Sequence, residues 1–132
     1  MKYLLTIYAD EGHYGSMPPE QLGGVFEAHR RFGEAATEAG VLRGGDGLQP
    51  TSTATTVRVR DGETLLTDGP FAETREQLGG FYMVECDDLD AAVRWAAQVP
   101  EAQFGSIEVR PVMIYDAPGG GTEGAAQQAA QG

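Results

Sequence analysis

His29 is the residue of this chain whose type and position best suit proton-transfer chemistry. It follows Leu22, Val25 and Phe26 at spacings of seven, four and three residues, which places it on the apolar stripe of a predicted helix. An imidazole exchanges protons near neutral pH, so a carboxylate that orients it would make it a general base or acid. The same spacing allows a structural alternative, a core histidine with both nitrogens hydrogen-bonded.

A rigid turn carries the second candidate. Residues 68–73, Asp-Gly-Pro-Phe-Ala-Glu, join two apolar, strand-like segments. Pro70 fixes its own φ and biases Gly69 towards extended geometry, while glycine tolerates the angles of a tight corner. A plain hairpin needs less, so we interpret the turn as a support that keeps the Asp68 carboxylate at the mouth of a cavity. The structural alternative is that Asp68 caps backbone N–H groups of the turn.

Asp68 is the first choice of carboxylate partner for His29, because its turn is stiff and brings two carboxylates and an aromatic ring together. The alternatives are Asp46, in a glycine-rich segment, and Glu73, at the end of the turn. The predicted catalytic pair is therefore His29 with Asp68.

Two arginines and two aromatic residues are candidates for substrate binding. Arg58 and Arg110 lie on predicted strands, each opposite its apolar neighbours, and a guanidinium can bind a substrate carboxylate through two hydrogen bonds. Phe71 and Tyr82 could wall a small apolar cavity. The structural alternatives are salt bridges across the sheet or a dimer interface for the arginines, and core packing for the rings.

Other site chemistries find little support. The lone Cys86 lies in an apolar segment, which predicts a buried, inert thiol without a disulfide or a C-x-x-C zinc site. His13 stands beside Asp10 and Glu11 without a spacing that fixes metal-ligand geometry. The glycine-rich segment 44–50 lacks the Lys-Ser/Thr of a phosphate-binding loop, and no nucleophile elbow is present. We therefore expect neither a metal nor a cofactor.

Composition and charge narrow the class of protein. The 132 residues, 41% hydrophobic, suit one domain, and the net charge of −11 repels phosphate backbones and anionic membranes. We expect no direct nucleic-acid or membrane partner. The apolar start, residues 2–9, is too short for a signal peptide, which predicts a cytoplasmic protein. Many arginines beside a single lysine are typical of a GC-rich bacterial genome.

Five strands and two helices are predicted, in the order β-α-β-β-β-α-β. The helices span about 18–40 and 88–99, and the strands 2–9, 53–60, 63–67, 79–86 and 106–115, with a hairpin turn at Asp61-Gly62. Two helices that cross between strands predict an α+β, ferredoxin-like protomer with both helices on one sheet face.

The second sheet face is predicted to need a cover as well. The first and fourth predicted strands have no clearly polar side, and no further helix is available. A second copy of the sheet would cover this face, so a homodimer is expected. After a domain of residues 1–116, residues 117–132 turn to Gly, Ala and Gln and are predicted to be a disordered tail.

Residues 68–76, Asp-Gly-Pro-Phe-Ala-Glu-Thr-Arg-Glu, resemble the motif of the DGPF-domain proteins, a branch of the YCII-related family. The resemblance extends over about residues 1–116, with further matching segments at 47–50, 53–58, 77–82 and 105–111. It implies a dimeric α+β barrel built from ferredoxin-like protomers.

For activity, the resemblance implies a His–Asp pair in a cleft. His29 matches the helix histidine of the family. Shorter YCII relatives have an acidic residue just before the proline that follows the second helix, but here Val99 precedes Pro100, so Asp68 stays first among the acids. Some relatives are encoded beside, or fused to, extracytoplasmic-function sigma factors, which adds a regulatory connection by analogy.

Two hypotheses follow. The first is a small cofactor-independent enzyme, an isomerase or lyase, in which His29 oriented by Asp68 moves a proton on a small organic substrate. The second is a non-catalytic dimer that binds a small ligand or has a regulatory role. In this hypothesis its function is linked to a sigma factor.

Overall fold

A computed structural model of the chain describes residues 1–115. The tail predicted for residues 117–132 lies outside the described residues. Within them, no helix is long and apolar enough to cross a membrane.

Three helices and six strands follow one another along the described chain. They are β1 (Lys2–Ala9), α1 (Glu11–Ser16), α2 (Pro19–Glu38), β2 (Leu42–Gly47), β3 (Thr55–Arg60), β4 (Glu63–Asp68), β5 (Gln77–Glu85), α3 (Leu89–Ala96) and β6 (Ser106–Pro111). Short 3-10 turns occur at Thr51–Thr53 and Pro100–Gln103.

The main sheet has the strand order β2-β5-β1-β6, and all of its neighbouring strands are antiparallel. Strand β1 lies inside the sheet, where Tyr3 faces Val84 of β5 on one side and Pro111 of β6 on the other. This arrangement confirms the predicted α+β, ferredoxin-like fold class. The β3–β4 hairpin forms a separate two-stranded sheet inserted between β2 and β5.

The core lies between one face of the main sheet and the helices α2 and α3. Alternate residues of β1 are buried, as expected for a strand with one covered face. Helix α2 contributes Phe32 and Ala36 to this core, and α3 contributes Ala92 and Ala96. Both long helices therefore cover the same sheet face, as predicted. The fully buried Leu5 and Val84 lie beneath them.

Strand β2 is the main difference from the predicted element order. The sequence predicts a glycine-rich loop here, because three glycines in six residues carry little strand propensity. In the structure a Cβ atom on Gly45 would lie 2.7 Å from the carbonyl oxygen of Phe81 on the paired strand. Glycine therefore permits a close approach of β2 to β5, and tertiary pairing overrides local propensity.

Both predicted turns contain residues with positive φ. Asp61 and Gly62, which join β3 to β4, both have positive φ values of 52° and 78°. This is the conformation that a tight two-residue hairpin favours. Gly69 has a φ of 94°, which is not the extended geometry expected before Pro70, so the turn after β4 requires glycine there.

Candidate functional site

His29 lies on α2, one turn before the buried Phe32, with 24% of its side chain exposed. Its Nδ1 lies 2.7 Å from the hydroxyl oxygen of Tyr82 on β5. Its Nε2 lies 2.7 Å and 2.9 Å from the two carboxylate oxygens of Glu101. The imidazole therefore bridges a phenol of the sheet and a carboxylate.

Glu101 belongs to the 3-10 turn Pro100–Gln103, which follows α3, and it is only 4% exposed. The turn holds it through its own carbonyl oxygen, which accepts hydrogen bonds from the N–H groups of Phe104 and Gly105. The hydroxyl of Tyr14, on α1, donates to Oε2 of Glu101 at 2.8 Å. Its Oε1 is buried and receives no hydrogen bond from the described residues, although it lies close to Nε2 of His29.

The hydrogen bonds determine where the protons lie. A carboxylate can only accept, so Nε2 of His29 carries a hydrogen and donates it to Glu101. In the neutral ring, Nδ1 is then the acceptor, and the Tyr82 hydroxyl donates to it. With the ring neutral, Tyr82 therefore donates to His29 and His29 donates to Glu101, and Tyr14 is a second donor to the carboxylate.

Burial and this network shift three acid–base groups. Burial alone would raise the pKa of Glu101, but the hydrogen bonds from His29 and Tyr14 outweigh it and lower that pKa. Burial, together with the negative charge of Glu101, raises the pKa of Tyr82 to about 12. Burial and the hydrogen bond to Glu101 also raise the pKa of Tyr14. At neutral pH the site therefore holds an ionised Glu101 carboxylate and two protonated phenols, Tyr14 in direct contact with Glu101 and Tyr82 on the other side of His29.

A cavity of about 310 Å³ opens beside this group of side chains. Its volume is at the lower end of the range for small-molecule sites. Phe26 and Tyr82 contribute aromatic surface, and Asp46 of β2 is also among the lining residues. The remaining lining residues are Ile7, His29, Gly45, Gly47, Gly79, Gly80, Phe81 and Glu101. The cavity can hold one small ring compound next to the proton-transfer groups.

The predicted partner of His29 needs a correction. Both ring nitrogens are occupied by Tyr82 and Glu101, and Asp68 is not among their contacts. Asp68 ends β4, where it pairs with Thr55 of the hairpin. The hairpin is a separate sheet, and within the described residues no side-chain hydrogen bond or salt bridge joins Asp68 to α2. The acid beside His29 in the structure is therefore Glu101.

The two alternative acids lie in different places. Asp46 lines the His29 cavity but does not contact the imidazole. Glu73 lines a separate pocket near Glu11.

The other candidate residues are divided between sites. Tyr82 lines the His29 cavity and contacts the imidazole directly. Arg58 lies on the exposed hairpin, and Arg110 lies on β6 with its Nε 3.9 Å from Glu108. Phe71 is 79% exposed. Neither arginine lines the His29 cavity, and the contact of Arg110 with Glu108 runs along β6 and not across the sheet.

A second, larger cavity of about 540 Å³ takes in the turn after β4. Phe71 lines it, together with Tyr8 of β1, and its wall is mostly apolar. Most of the remaining wall comes from residues 48–51, 53–56 and 76–78. The turn borders this cavity through its Pro-Phe-Ala residues, but Asp68, whose carboxylate was expected at the mouth of a cavity, is not among the lining residues, and His29 lies in the other cavity.

Glu101 and Tyr14 are not among the site residues predicted from the sequence. A usable signal was present, because an acid lies next to the proline that follows the second long helix, one residue after it instead of before it. Tyr14 had no such signal, since its loop-like segment gave no reason to expect the short helix α1.

Metal-binding geometry is absent from residues 1–115, where no group of three or more His, Cys, Asp or Glu side chains could hold an ion. His13 instead packs against Phe104, with their ring centroids 4.7 Å apart. Cys86 is buried, and burial raises the pKa of its thiol, as expected for an inert cysteine.

Comparison with known proteins agrees with the fold and the sequence motifs. Residues 1–116 match the YCII-related domain, so the chain belongs to the YCII-related family. It is 39% identical over 117 residues to an uncharacterised protein of Rhizobium meliloti (strain 1021), a match that covers 87% of this chain and 94% of that protein.

A solved structure has a similar fold. It is the 5-chloro-2-hydroxyhydroquinone dehydrochlorinase of Burkholderia phenoliruptrix AC1100, in complex with 2,5-dihydroxybenzoquinone. The TM-score is 0.52 at 12% identity, over 87% of this chain and 96% of the other. At this identity the likeness concerns the fold.

Proposed function

We propose that this protein is a cofactor-independent enzyme of isomerase or lyase type, which transfers a proton on a small organic substrate. His29 and Glu101 form its acid–base pair. The observation that carries the proposal is the contact of the imidazole Nε2 with a 4%-exposed carboxylate at the wall of a cavity. Glu101 replaces the Asp68 of our sequence-based hypothesis.

The chemistry of the pair supports this function. An ionised carboxylate on Nε2 fixes the ring orientation and stabilises the imidazolium that forms when the ring gains a proton. Because Glu101 is buried, its negative charge acts on the imidazole with little screening by solvent. A positioned acid–base group of this kind contributes roughly 10²–10⁴-fold to a rate.

The cavity favours a small, planar, oxygenated ring as the substrate. Its volume of about 310 Å³ excludes large ligands, and Phe26 and Tyr82 offer aromatic walls. Neither Arg58 nor Arg110 lines it, so neither arginine is part of this proposed substrate site. The neighbour with the similar fold was solved with 2,5-dihydroxybenzoquinone, which makes that compound a suitable probe.

The test is hydrogen–deuterium exchange at the ring carbons of 2,5-dihydroxybenzoquinone in heavy water, followed by NMR. We expect the wild-type protein to accelerate the exchange, and His29→Gln and Glu101→Gln to lose roughly 10²–10⁴-fold of that acceleration. His13→Gln and Glu108→Gln are matched controls that should keep it. Wild-type rates in His29→Gln would contradict the proposal.

The second candidate function is that of a non-catalytic dimer, which binds a small ligand or has a regulatory role. It is favoured by the occupation of both His29 nitrogens within the protein and by the larger cavity, which lacks such a pair. This reading predicts a bound ligand without turnover, and a sigma-factor gene beside the gene for this protein.

A homodimer in the bacterial cytoplasm is part of the proposal. Leu4 and Met83 pair across β1 and β5 on the sheet face opposite the helices, and both are only half-buried in the single chain. Val57 and Leu66 pair on the exposed hairpin at 59% and 68% exposure. A second copy would remove this apolar surface from water. A monomeric mass by light scattering at micromolar concentration would contradict the dimer.

A further inference from the structure

Neither ring nitrogen of His29 is free to contact a substrate. Nε2 is bound to Glu101, and Nδ1 lies 2.7 Å from the hydroxyl of Tyr82. A substrate in the cavity therefore meets an imidazole whose two proton-exchange positions are already taken. Tyr82 also lines the cavity, and its hydroxyl is the group in contact with Nδ1.

We propose that the Tyr82 hydroxyl is the group that exchanges a proton with the substrate, and that His29 and Glu101 act behind it as a relay. The inference rests on the proposed proton-transfer function and names the group that the substrate meets. It assigns Tyr82 as the catalytic residue, with His29 as its proton reservoir.

The step balances without any further reactant. An acidic C–H or O–H bond of the substrate breaks, its electron pair stays on the substrate, and the proton moves to the Tyr82 oxygen. At the same time the hydroxyl proton of Tyr82 moves to Nδ1 of His29. The products are a substrate anion, a neutral phenol and an imidazolium that keeps its Nε2 hydrogen on Glu101. The reverse transfer returns a proton to the same or another substrate atom, or to a leaving group.

The acid–base state of Tyr82 agrees with a concerted relay. Burial and the charge of Glu101 raise the pKa of Tyr82 to about 12, so a standing tyrosinate is not available as a base near neutrality. The phenol can accept a substrate proton only as it passes its own proton to His29. The short contact between these two groups provides the path.

The ring of Tyr82 is held in the position that this role requires. It packs against Phe32 with centroids 4.4 Å apart, and it lies 5.9 Å from the His29 ring. On the paired strand β2, a Cβ atom on Gly45 would lie 2.7 Å from the Tyr82 ring. These neighbours limit the rotation of the phenol away from Nδ1, which favours a fixed geometry for transfer.

The competing mechanism makes the opposite prediction for Tyr82→Phe. If the substrate displaces Tyr82 and contacts Nδ1 directly, then removing the hydroxyl frees that nitrogen, and proton transfer persists or improves. If Tyr82 is the exchanging group, the same substitution stops the transfer while the aromatic wall of the cavity stays in place.

The first test needs no ligand. Nitrogen-15 NMR of the His29 ring in the free protein should show the hydrogen on Nε2 and a hydrogen-bonded Nδ1. The Nδ1 signal should shift in Tyr82→Phe and stay unchanged in the matched control Tyr115→Phe. A hydrogen on Nδ1 in the neutral ring, or an Nδ1 signal insensitive to Tyr82→Phe, overturns the relay.

The second test uses 4-nitrophenol, whose phenolate is yellow. Bound to the wild-type protein below the pH at which it ionises in water, it should form phenolate while His29 becomes imidazolium. Tyr82→Phe should lose both signals, and Tyr115→Phe should keep them. If Tyr82→Phe also keeps both signals, the relay is overturned and the proposed function stands. If the wild-type protein gives neither signal, the proposed function fails, and the relay fails with it.

Discussion

The hydroxyl of Tyr14 donates a 2.8 Å hydrogen bond to the carboxylate of Glu101, across 87 residues of sequence. Tyr14 lies on α1, a helix of six residues with no fully buried side chain. Its ring packs edge-on against Phe104, with centroids 5.7 Å apart. The short helix therefore supplies the carboxylate with a donor that is independent of His29.

Removal of the Tyr14 hydroxyl should raise the pKa of Glu101. Hydrogen bonds to the ionised form lower a carboxyl pKa, and Tyr14 supplies one of the two side-chain bonds that offset burial here. Carbon-13 NMR of the Glu101 carboxyl group should show a higher midpoint in Tyr14→Phe than in wild type. Tyr115→Phe is the matched control. An unchanged midpoint in Tyr14→Phe would contradict the role assigned to this hydrogen bond.

Acid should weaken the fold partly through Glu101. Its pKa is lower in the folded protein than the ordinary value of 4.5, so its ionised form contributes stability above that value. The contribution should disappear as the pH falls through the lowered folded value. In urea unfolding, Glu101→Gln should be less stable than wild type by about 1–3 kcal/mol at neutral pH. That difference should shrink in acid, and a difference that grows would contradict the assignment.

Adjacent glycines of β5 should differ sharply in their tolerance of alanine. A Cβ atom on Gly80 would lie 2.9 Å from the carbonyl oxygen of Asp46, whereas one on Gly79 meets no atom within 4 Å. Gly80→Ala should therefore destabilise the protein by about 1–3 kcal/mol, because the backbone of β2 must move. Gly79→Ala should stay close to wild type. Thermal unfolding of the two variants checks the contrast, and equal losses would contradict it.

The fold was largely predictable because its signals are local. The 3- and 4-residue spacing on α2, the Asp61-Gly62 turn and the apolar β1 each indicate their element from a few neighbouring residues. Strand β2 was not predictable in this way. Its glycines are explained by the close approach of β5, which lies more than thirty residues further along the chain.

Only one member of the acid–base pair, His29, was predictable from the sequence. The helical stripe indicated His29, because a periodic pattern places a residue on a face. Its acid comes from a 3-10 turn, and the direction of a side chain on such a turn depends on how the turn packs against α2 and α1. Asp68 was preferred because its turn is rigid. Rigidity alone does not indicate which part of the molecule a turn faces.

Substitution of the two acids tests this correction directly. Glu101 contacts Nε2 of His29, whereas Asp68 belongs to the β3–β4 hairpin. Glu101→Gln removes the carboxylate that fixes the Nε2 hydrogen, so nitrogen-15 NMR should show an altered ratio of the two neutral ring forms of His29. Asp68→Asn should leave that ratio and the ring-hydrogen exchange of 2,5-dihydroxybenzoquinone at their wild-type values. The opposite result, a His29 spectrum that changes in Asp68→Asn and not in Glu101→Gln, would mean that the pairing of His29 with Asp68 is correct. In that case the Asp68 carboxylate must reach the imidazole in solution, from the same chain or from a second copy.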